Sequence, residues 1–460
     1  MRLKSNRLKI FLLFYILIVV VIIFIFKFNY HHPLNNFISH VFVTKGKKSV
    51  SLNLFDVPPL SPLIDDKSHL NTEFFDSATI QDEKFQDEQN YHKLWYFRNK
   101  TNLITNVNIS DLPLFHKDDP FNDRIVNQLL YKPVNYNKNV SLEFYKKIYL
   151  DDGPGAFYKV KMGTSNFEHC PVSTCNIISE IDDADLVVYK NSDPLPKKHP
   201  NQIHMAYILE SPFHYGHLNG PFDWTSTYRR DSDIVAPYGR WEYYDKRVTQ
   251  LPQSINYALG KTKKVAWFVS NCHAQNNRLE IATELKNYID VDIYGFCGDG
   301  NLECPRSSEL ECFKMLQTEY KFYLSFENSN CHDYVTEKFF LNALSNNVLP
   351  IVMGGSPLDY RKMSPEKSFI HVDDFNSIEH LGEYLKLLDK DDVLYNSYFQ
   401  WKGTGELIEP HYWCRVCSML HIPNKDKTKY RLSDISFTKW WRGKGVCISE
   451  NWKKFLIMKS

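Results

Sequence analysis

Phe322-Tyr-Leu-Ser-Phe-Glu-Asn-Ser-Asn-Cys-His-Asp-Tyr-Val-Thr-Glu-Lys338 is the segment from which the fold can be read. The apolar run Phe322–Phe326 reads as a buried strand. It empties into a polar loop, and Thr336 stands where a hydroxyl can cap the next helix. Phe339, Phe340, Ala343 and Leu344 then mark one face of that helix, and Val348–Val352 returns as a strand. Toward the amino terminus, Lys264–Val269 and Val291–Phe296 read as strands, separated by Leu279, Ala282 and Leu285 at helical spacing. Toward the carboxyl terminus, Ile378, Leu381, Leu385 and Leu388 keep that spacing. Strands alternating with helices imply crossover units and a parallel sheet. Leu186–Tyr189 and Ile203–Leu209 belong to an earlier unit. The expectation is an α/β protein with two doubly wound domains facing a cleft, with ligands at the carboxyl ends of strands.

The polar loop carries groups suited to an anionic ligand. A helix amino terminus offers free N–H groups and a positive dipole end. Lys338 adds a cation in the first turn, unfavourable there unless an anion is near. Glu337 can accept sugar or ribose hydroxyls, and Asn328 and Tyr334 can bond polar groups. Arg278 is expected near the start of the helix after the Lys264–Val269 strand. Glu210 ends the Ile203–Leu209 strand just before Ser211-Pro212, where a general base would project into a cleft. Each of these residues also has a plain structural reading as a cap, ion pair or solvated side chain. Asp231-Ser-Asp233 and Asp290-Val-Asp292 superficially match a metal-binding DxD pattern, but Asp233 and Asp292 adjoin apolar runs and read as structural. No metal ligand set emerges, and no Gly-rich phosphate loop of an NTPase is present.

The chain of 460 residues is long enough for two or three units. Apolar residues make up 43% and charged residues 24%, a globular composition. Lys plus Arg is 55 against 54 for Asp plus Glu, so nothing drives general nucleic-acid binding. Arg2, Lys4, Arg7 and Lys9 precede an apolar run from Ile10 to Phe26. At about 1.5 Å per residue that run spans roughly 25 Å, enough for a thin bilayer. Bulky residues follow it where a signal-peptide cleavage site would need small ones. The expected topology is a cytosolic tail (1–9), one membrane-spanning signal anchor (10–26) and a lumenal body. Residues 27–150 read as a stem, with sequons at Asn99, Asn108 and Asn139. In an oxidising lumen the ten cysteines read as disulfides, Cys414-Arg-Val-Cys417 included, with the pairing left open.

The ordered motifs resemble a known family. Tyr320–Ser329 through Asp333-Tyr-Val-Thr-Glu-Lys338 is similar to the signature of the α1,3-fucosyltransferases of glycosyltransferase family 10. So are Leu209-Glu-Ser-Pro212, Thr227–Asp233, Val265–Asn271, Val291–Gly295 and Phe369–Phe375. The resemblance extends from Cys170 to about His421. Cys297, Cys304-Pro-Arg306, Asn328–Cys331, Trp401–Glu406 and Trp413–Cys417 resemble the insect and plant enzymes that fucosylate the innermost GlcNAc of N-glycans.

The resemblance implies a GT-B fold of two Rossmann-like domains. Residues 151–260 would be the acceptor domain, 261–421 the GDP-fucose-binding domain and 422–460 an extension. It implies an inverting, Golgi-resident type II enzyme with GDP-fucose as co-substrate and no tightly bound cofactor. Mn²⁺ or Mg²⁺ could assist diphosphate departure without dedicated protein ligands. Glu210 falls on the family's catalytic base, and Arg278, Asn328, Tyr334, Glu337 and Lys338 on its donor-binding positions. Arg229 and Tyr294 fall in family motifs and are expected to support the nucleotide or acceptor cleft. The expected partners are GDP-fucose, a glycoprotein N-glycan and the membrane. Other readings are a transferase acting on peripheral Lewis-type or LacdiNAc GlcNAc, and an inactive membrane-tethered glycan-binding relative. A glycoside hydrolase would need two carboxylates facing one glycosidic bond.

Overall fold

The structure is a computed structural model describing residues 111–454, apart from 216, 217, 299, 301, 430–433 and 453. The apolar run 10–26, most of the stem and the sequons at Asn99 and Asn108 lie outside the described residues. Within them, no helix is long and apolar enough to cross a membrane. Asn139 stands exposed.

Two parallel five-stranded sheets form the body. The first contains β1 (Lys146–Leu150), β2 (Cys175–Ile178), β3 (Leu186–Tyr189), β4 (Ile203–Ile208) and β5 (Trp224–Thr227), in the order β2-β1-β3-β4-β5. The second contains β6 (Lys263–Phe268), β7 (Val291–Tyr294), β8 (Tyr320–Phe326), β9 (Leu349–Met353) and β10 (Ile370–His371), in the order β10-β9-β8-β6-β7. Counted within its own unit, each sheet has the doubly wound order 2-1-3-4-5. The switch point of the second sheet lies between β6 and β8. The loops that carry Arg278 and Asn328 leave the sheet there.

A parallel sheet buries both faces, and the two units meet that demand differently. Helices Arg278–Leu285 and Ile378–Lys390 cover one face of the second sheet, over Val265, Trp267, Phe322, Leu324 and Ile351. Helix Glu309–Glu319 covers the other through Leu316, against Tyr294, Tyr320 and Tyr323. These helices are the unit's own crossovers or follow directly from them. The first sheet's crossovers instead hold turns such as Pro154–Ala156, Ser165–Phe167 and Ile181–Asp183. Its covers come from the two ends of the described chain. Ile125, Leu129 and Leu130 join Val416, Met419 and Leu420 on one face. Phe437 and Trp441 pack against Val187, Tyr189 and Ile208 on the other.

This changes three of the expected boundaries. Residues 111–150 do not belong to a stem, because β1 pairs with both β2 and β3 inside the first sheet. Residues 412–420 leave the second unit and pack on the first, where disulfides Cys170–Cys414 and Cys175–Cys417 hold them. The described residues between 422 and 454 form an integral layer rather than a loose extension. Trp224 Nε1 donates to Lys427 O at 2.8 Å, and Cys447 is bonded to Cys331. The helix expected from Thr336 onward is also shorter: Glu337–Phe340 is helical, and a separate 3₁₀ turn follows at Leu344–Asn346.

Candidate active site

Glu210 follows β4 and faces the loop after β8. Its Oε1 accepts three hydrogen bonds: from Ser211 N at 2.7 Å, Asn328 Nδ2 at 3.1 Å and Tyr334 Oη at 2.7 Å. None of these uses Oε2. Two of the donors belong to the second unit, so both halves position this carboxylate. Ser211 Oγ and Ser329 Oγ meet at 2.7 Å and pin the same seam. Burial, and then the charge of Glu210, raise the Tyr334 phenol well above its ordinary pKa. It therefore remains a proton donor to the carboxylate at neutral pH.

Beside this pair lies a compact charged cluster. The Lys338 ammonium reaches Thr336 Oγ1 at 2.8 Å, Glu337 Oε1 at 2.9 Å and Glu327 Oε2 at 3.1 Å. Burial alone would lower the pKa of Lys338, but Glu327 and Glu337 together raise it above the ordinary lysine range. Burial raises Glu327 above the carboxylate range despite the pull of Lys338. For Glu337 the balance reverses: burial pushes it up, Lys338 pulls harder, and it ends low. Lys338 is thus a permanent cation at neutral pH.

The sequence reading missed Glu327. Its side chain is fully buried at the carboxyl end of β8 and takes both the N–H and the hydroxyl of Thr336 at 2.8 Å. Thr336 occupies the expected N-cap position, yet its side chain does not cap the helix. The signal for Glu327 was available: a carboxylate directly after a fully buried strand cannot stay charged without a partner. The anion that Lys338 called for in the first turn is, in the free protein, this chain's own. Gly354 (φ 144°) permits the close fit, since a Cβ there would lie 2.5 Å from Glu327 Cβ.

Arg278 opens its helix and is 4% exposed. It donates to Phe326 O at 2.9 Å and Asn271 O at 2.8 Å, tying the ends of β6 and β8 together across the switch point. Its Nε–H is buried without a partner. Asn276, two residues earlier, donates to Glu327 O at 3.0 Å. The structure therefore brings Glu210, Asn328, Tyr334, Glu337, Lys338, Arg278 and Glu327 to one seam.

Comparison with known proteins agrees with the motifs. Residues 142–239 match the model "Fucosyltransferase, N-terminal", and residues 258–436 match "Glycosyltransferase family 10 (fucosyltransferase) C-term". The chain is 48% identical over 387 residues to glycoprotein 3-alpha-L-fucosyltransferase A of Drosophila melanogaster, covering 80% of this chain and 76% of that protein. The chain belongs to glycosyltransferase family 10. It is a fucosyltransferase. A human 4-galactosyl-N-acetylglucosaminide 3-alpha-L-fucosyltransferase is 35% identical over 254 residues, covering 53% of this chain and 67% of its own. A crystal structure of an alpha1,3-fucosyltransferase with GDP-fucose aligns with a TM-score of 0.42 and 17% identity, over 65% of this chain and 97% of its own.

The fucosyltransferase leaves two expected supporting residues away from the seam cluster. Arg229 is clamped to Asp231 by bonds of 2.9 and 2.6 Å, lies over the Trp440 ring and donates to the Trp440 carbonyl. It fastens the carboxyl-terminal layer. Tyr294 bonds Tyr320 Oη at 2.8 Å on the far face of the second sheet. The DxD aspartates are structural: Asp233 accepts from Thr225 N and Oγ1, and Asp292 accepts from Tyr320. Among the described residues one group has metal-ligand spacing, Cys175, Cys417 and His421, but both of its sulfurs are spent in the Cys175–Cys417 disulfide.

Proposed function

We propose that this fucosyltransferase moves L-fucose from GDP-β-L-fucose to the 3-hydroxyl of a GlcNAc, the innermost Asn-linked one of N-glycans. The observation that carries the reading is Glu210. Its three donors all occupy Oε1, which leaves Oε2 to take a proton, and it stands beside a fixed cation. The acceptor oxygen attacks the fucose anomeric carbon from the face opposite the diphosphate. The carbon–oxygen bond to phosphate breaks as the new glycosidic bond forms, and the hydroxyl proton passes to Glu210. One displacement inverts the β donor linkage to an α product. Negative charge grows on the departing GDP, where Lys338 and the buried charge of Arg278 stabilise the transition state more than the ground state. Glu337 exchanges its contact with Lys338 for hydroxyls of the donor. Asn328 and Tyr334 orient the base and close over the fucose.

The glycoprotein acceptor is favoured by the higher identity and wider coverage of the Drosophila glycoprotein enzyme relative to the human galactosyl-GlcNAc one. A divalent cation can assist departure of the diphosphate. The apolar run 10–26 would anchor the enzyme in the Golgi membrane with its body in the lumen, consistent with five disulfides. Incubation of the lumenal body with GDP-fucose and a panel of defined glycans, read by mass spectrometry, tests the reaction. Fucose on the innermost GlcNAc is expected, and transfer only to peripheral GlcNAc would refute the acceptor assignment. Exposed Asn139 should contribute to a glycosidase-sensitive mass shift in animal cells, and loss of its sequon should reduce that shift by one glycan.

A further inference from the structure

A cavity of about 400 Å³ lies on the seam between the two units and shares no lining residue with the charged cluster around Lys338. That size is ordinary for a small-ligand pocket. Asp119, Asp123, Arg230, Arg240, Lys246 and Lys362 supply its charge. Asp123 and Arg240 are spent on each other at 2.7 Å. The remaining four are unbalanced, three cations against the lone acid Asp119. Arg230 follows β5, Lys246 lies between β5 and β6, and Lys362 belongs to the second unit. Among the described residues none of these three cations forms an ion pair, and both lysines are exposed.

Arg230 is aimed from both sides of the seam. Its Nη1 donates to Lys362 O and its Nη2 to Phe121 O, each at 3.3 Å. Bonds of that length are weak, so the guanidinium remains available to a better acceptor. A guanidinium fork matches a carboxylate with two parallel bonds. Like charges gathered in one recess repel until a counter-charge arrives. The cavity therefore favours an anion over a neutral group.

The same residue ties the cavity to the proposed base. Arg230 N donates to Asp333 Oδ2 at 2.9 Å, and the next residue, Tyr334, donates its phenol to Glu210 at 2.7 Å. The anion of GDP-fucose is its diphosphate, for which Lys338 and Arg278 stand ready elsewhere. The substrate left to bring an anion here is the acceptor.

We propose that this cavity is a subsite for a carboxylate carried by the acceptor glycoprotein, outside the GlcNAc that receives fucose. It rests on the acceptor reading given above. Arg230 takes the carboxylate on its fork, and Lys246 and Lys362 add positive charge at the rim. The carboxylate belongs either to an Asp or Glu near the glycosylated Asn or to an acidic sugar of the glycan.

The full-length enzyme is tested with three N-glycopeptides: one neutral throughout, one with Asp and Glu flanking the glycosylated Asn, and one with a neutral peptide and carboxylated terminal sugars. Wild type should show a lower KM for at least one acidic acceptor than for the neutral one, and raised ionic strength should shrink the difference. In the Lys246→Gln/Lys362→Gln double variant, KM for the preferred acidic acceptor should rise about threefold to tenfold, the size expected of two exposed charge contacts. KM for the neutral acceptor and for GDP-fucose should stay unchanged, as should the melting temperature, because neither lysine holds an ion pair. The acidic acceptor that responds identifies the source of the carboxylate. Equal KM for all three acceptors in wild type, or an equal change with all three in the variant, overturns the subsite; the wild-type comparison and its salt dependence decide even if the variant does not fold. A wild-type enzyme that transfers fucose to other acceptors and to none of the N-glycopeptides defeats the acceptor reading itself, and the subsite with it.

Discussion

The two sheets share one strand order but reach stability and chemistry by different routes. The second unit is closed by helices adjacent to its own strands. It holds the cation and the buried carboxylate inside one segment, Phe322–Lys338. The first unit borrows its covering layers from residues 125–130, 412–420 and 437–441. It contributes Glu210, the proposed base, two of whose donors come from its neighbour. A shared topology therefore does not imply equal autonomy. The half carrying the proposed base depends on the rest of the chain both for its core and for the aim of that carboxylate.

The most severe way to break this comparison is at Glu210. Glu210→Gln keeps the shape and most of the hydrogen bonding but cannot take the proton. Turnover should fall by about 10²–10⁴, with GDP-fucose affinity nearly unchanged because the proposed donor site belongs to the other unit. A folded variant with near-normal turnover would return Glu210 to a structural role.

Dependence on the chain ends predicts unequal disulfides. Removing both Cys170–Cys414 and Cys175–Cys417, which close separations of 244 and 242 residues side by side, should cost more than about 5 kcal/mol; removing Cys304–Cys312, with a separation of 8, should cost about 2–3. Chemical denaturation of the two paired Cys→Ser variants checks the order. Equal losses would mean that the first unit stands alone better than its packing suggests.

Lys338→Ala should lower kcat/KM roughly tenfold to a hundredfold, the worth of one charge-assisted contact of about 1.5–3 kcal/mol. It also strands Glu327 in a buried site, so a fall in melting temperature accompanies the kinetic loss. Kinetic loss without destabilisation would show that Glu327 finds another partner or a proton. Arg278→Ala should be the more destabilising of the two, since its guanidinium joins β6 to β8.

The smallest effect concerns Asp333, which sits on the seam and accepts from Arg230 N at 2.9 Å. Burial and neighbouring Asp359 push its carboxyl up to about 6. The folded state therefore keeps a proton that the unfolded state releases. This group's stabilising contribution is full at low pH and is lost as pH rises through about 6. Asp333→Asn can still accept from Arg230, and Asn tolerates its φ of 60°. The variant should melt a few degrees higher than wild type near pH 7.5 and equal to it below about pH 4. An equal shift at both pH values would point to a cause other than ionisation.

Much of the second unit was legible in the sequence because its strands are continuous apolar runs and its helices keep their period. In the first unit, β1 begins with Lys146 and Lys147, and only Ile148 and Leu150 are buried. β5 reads Trp-Thr-Ser-Thr, polar by composition yet wholly buried. Neither stands out by hydrophobicity, so the folded region starts before the expected boundary. Glu210, Asn328, Tyr334 and Lys338 were singled out because strand ends and loops mark ligand sites, and the structure brings them to one seam. Glu327 escaped because a buried carboxylate is defined by its distant partners. Arg229 and Tyr294 belong to recognisable motifs, but a motif does not reveal which way a side chain turns. Ten cysteines admit many pairings, and separations above 240 residues leave no local trace.

Cys447 is bonded to Cys331 inside the loop that carries Asn328 and Tyr334. During synthesis, the orienting donors of the base are made more than a hundred residues before the half-cystine that fastens their loop. Cys170 and Cys175 likewise wait for Cys414 and Cys417. A nascent chain released before Cys447 would carry every residue of the candidate site and still lack the clasp that fixes the loop. Catalytic competence therefore waits for Cys447 and its oxidation, and a truncation that removes Cys447 should be as disabling as a substitution at the site itself.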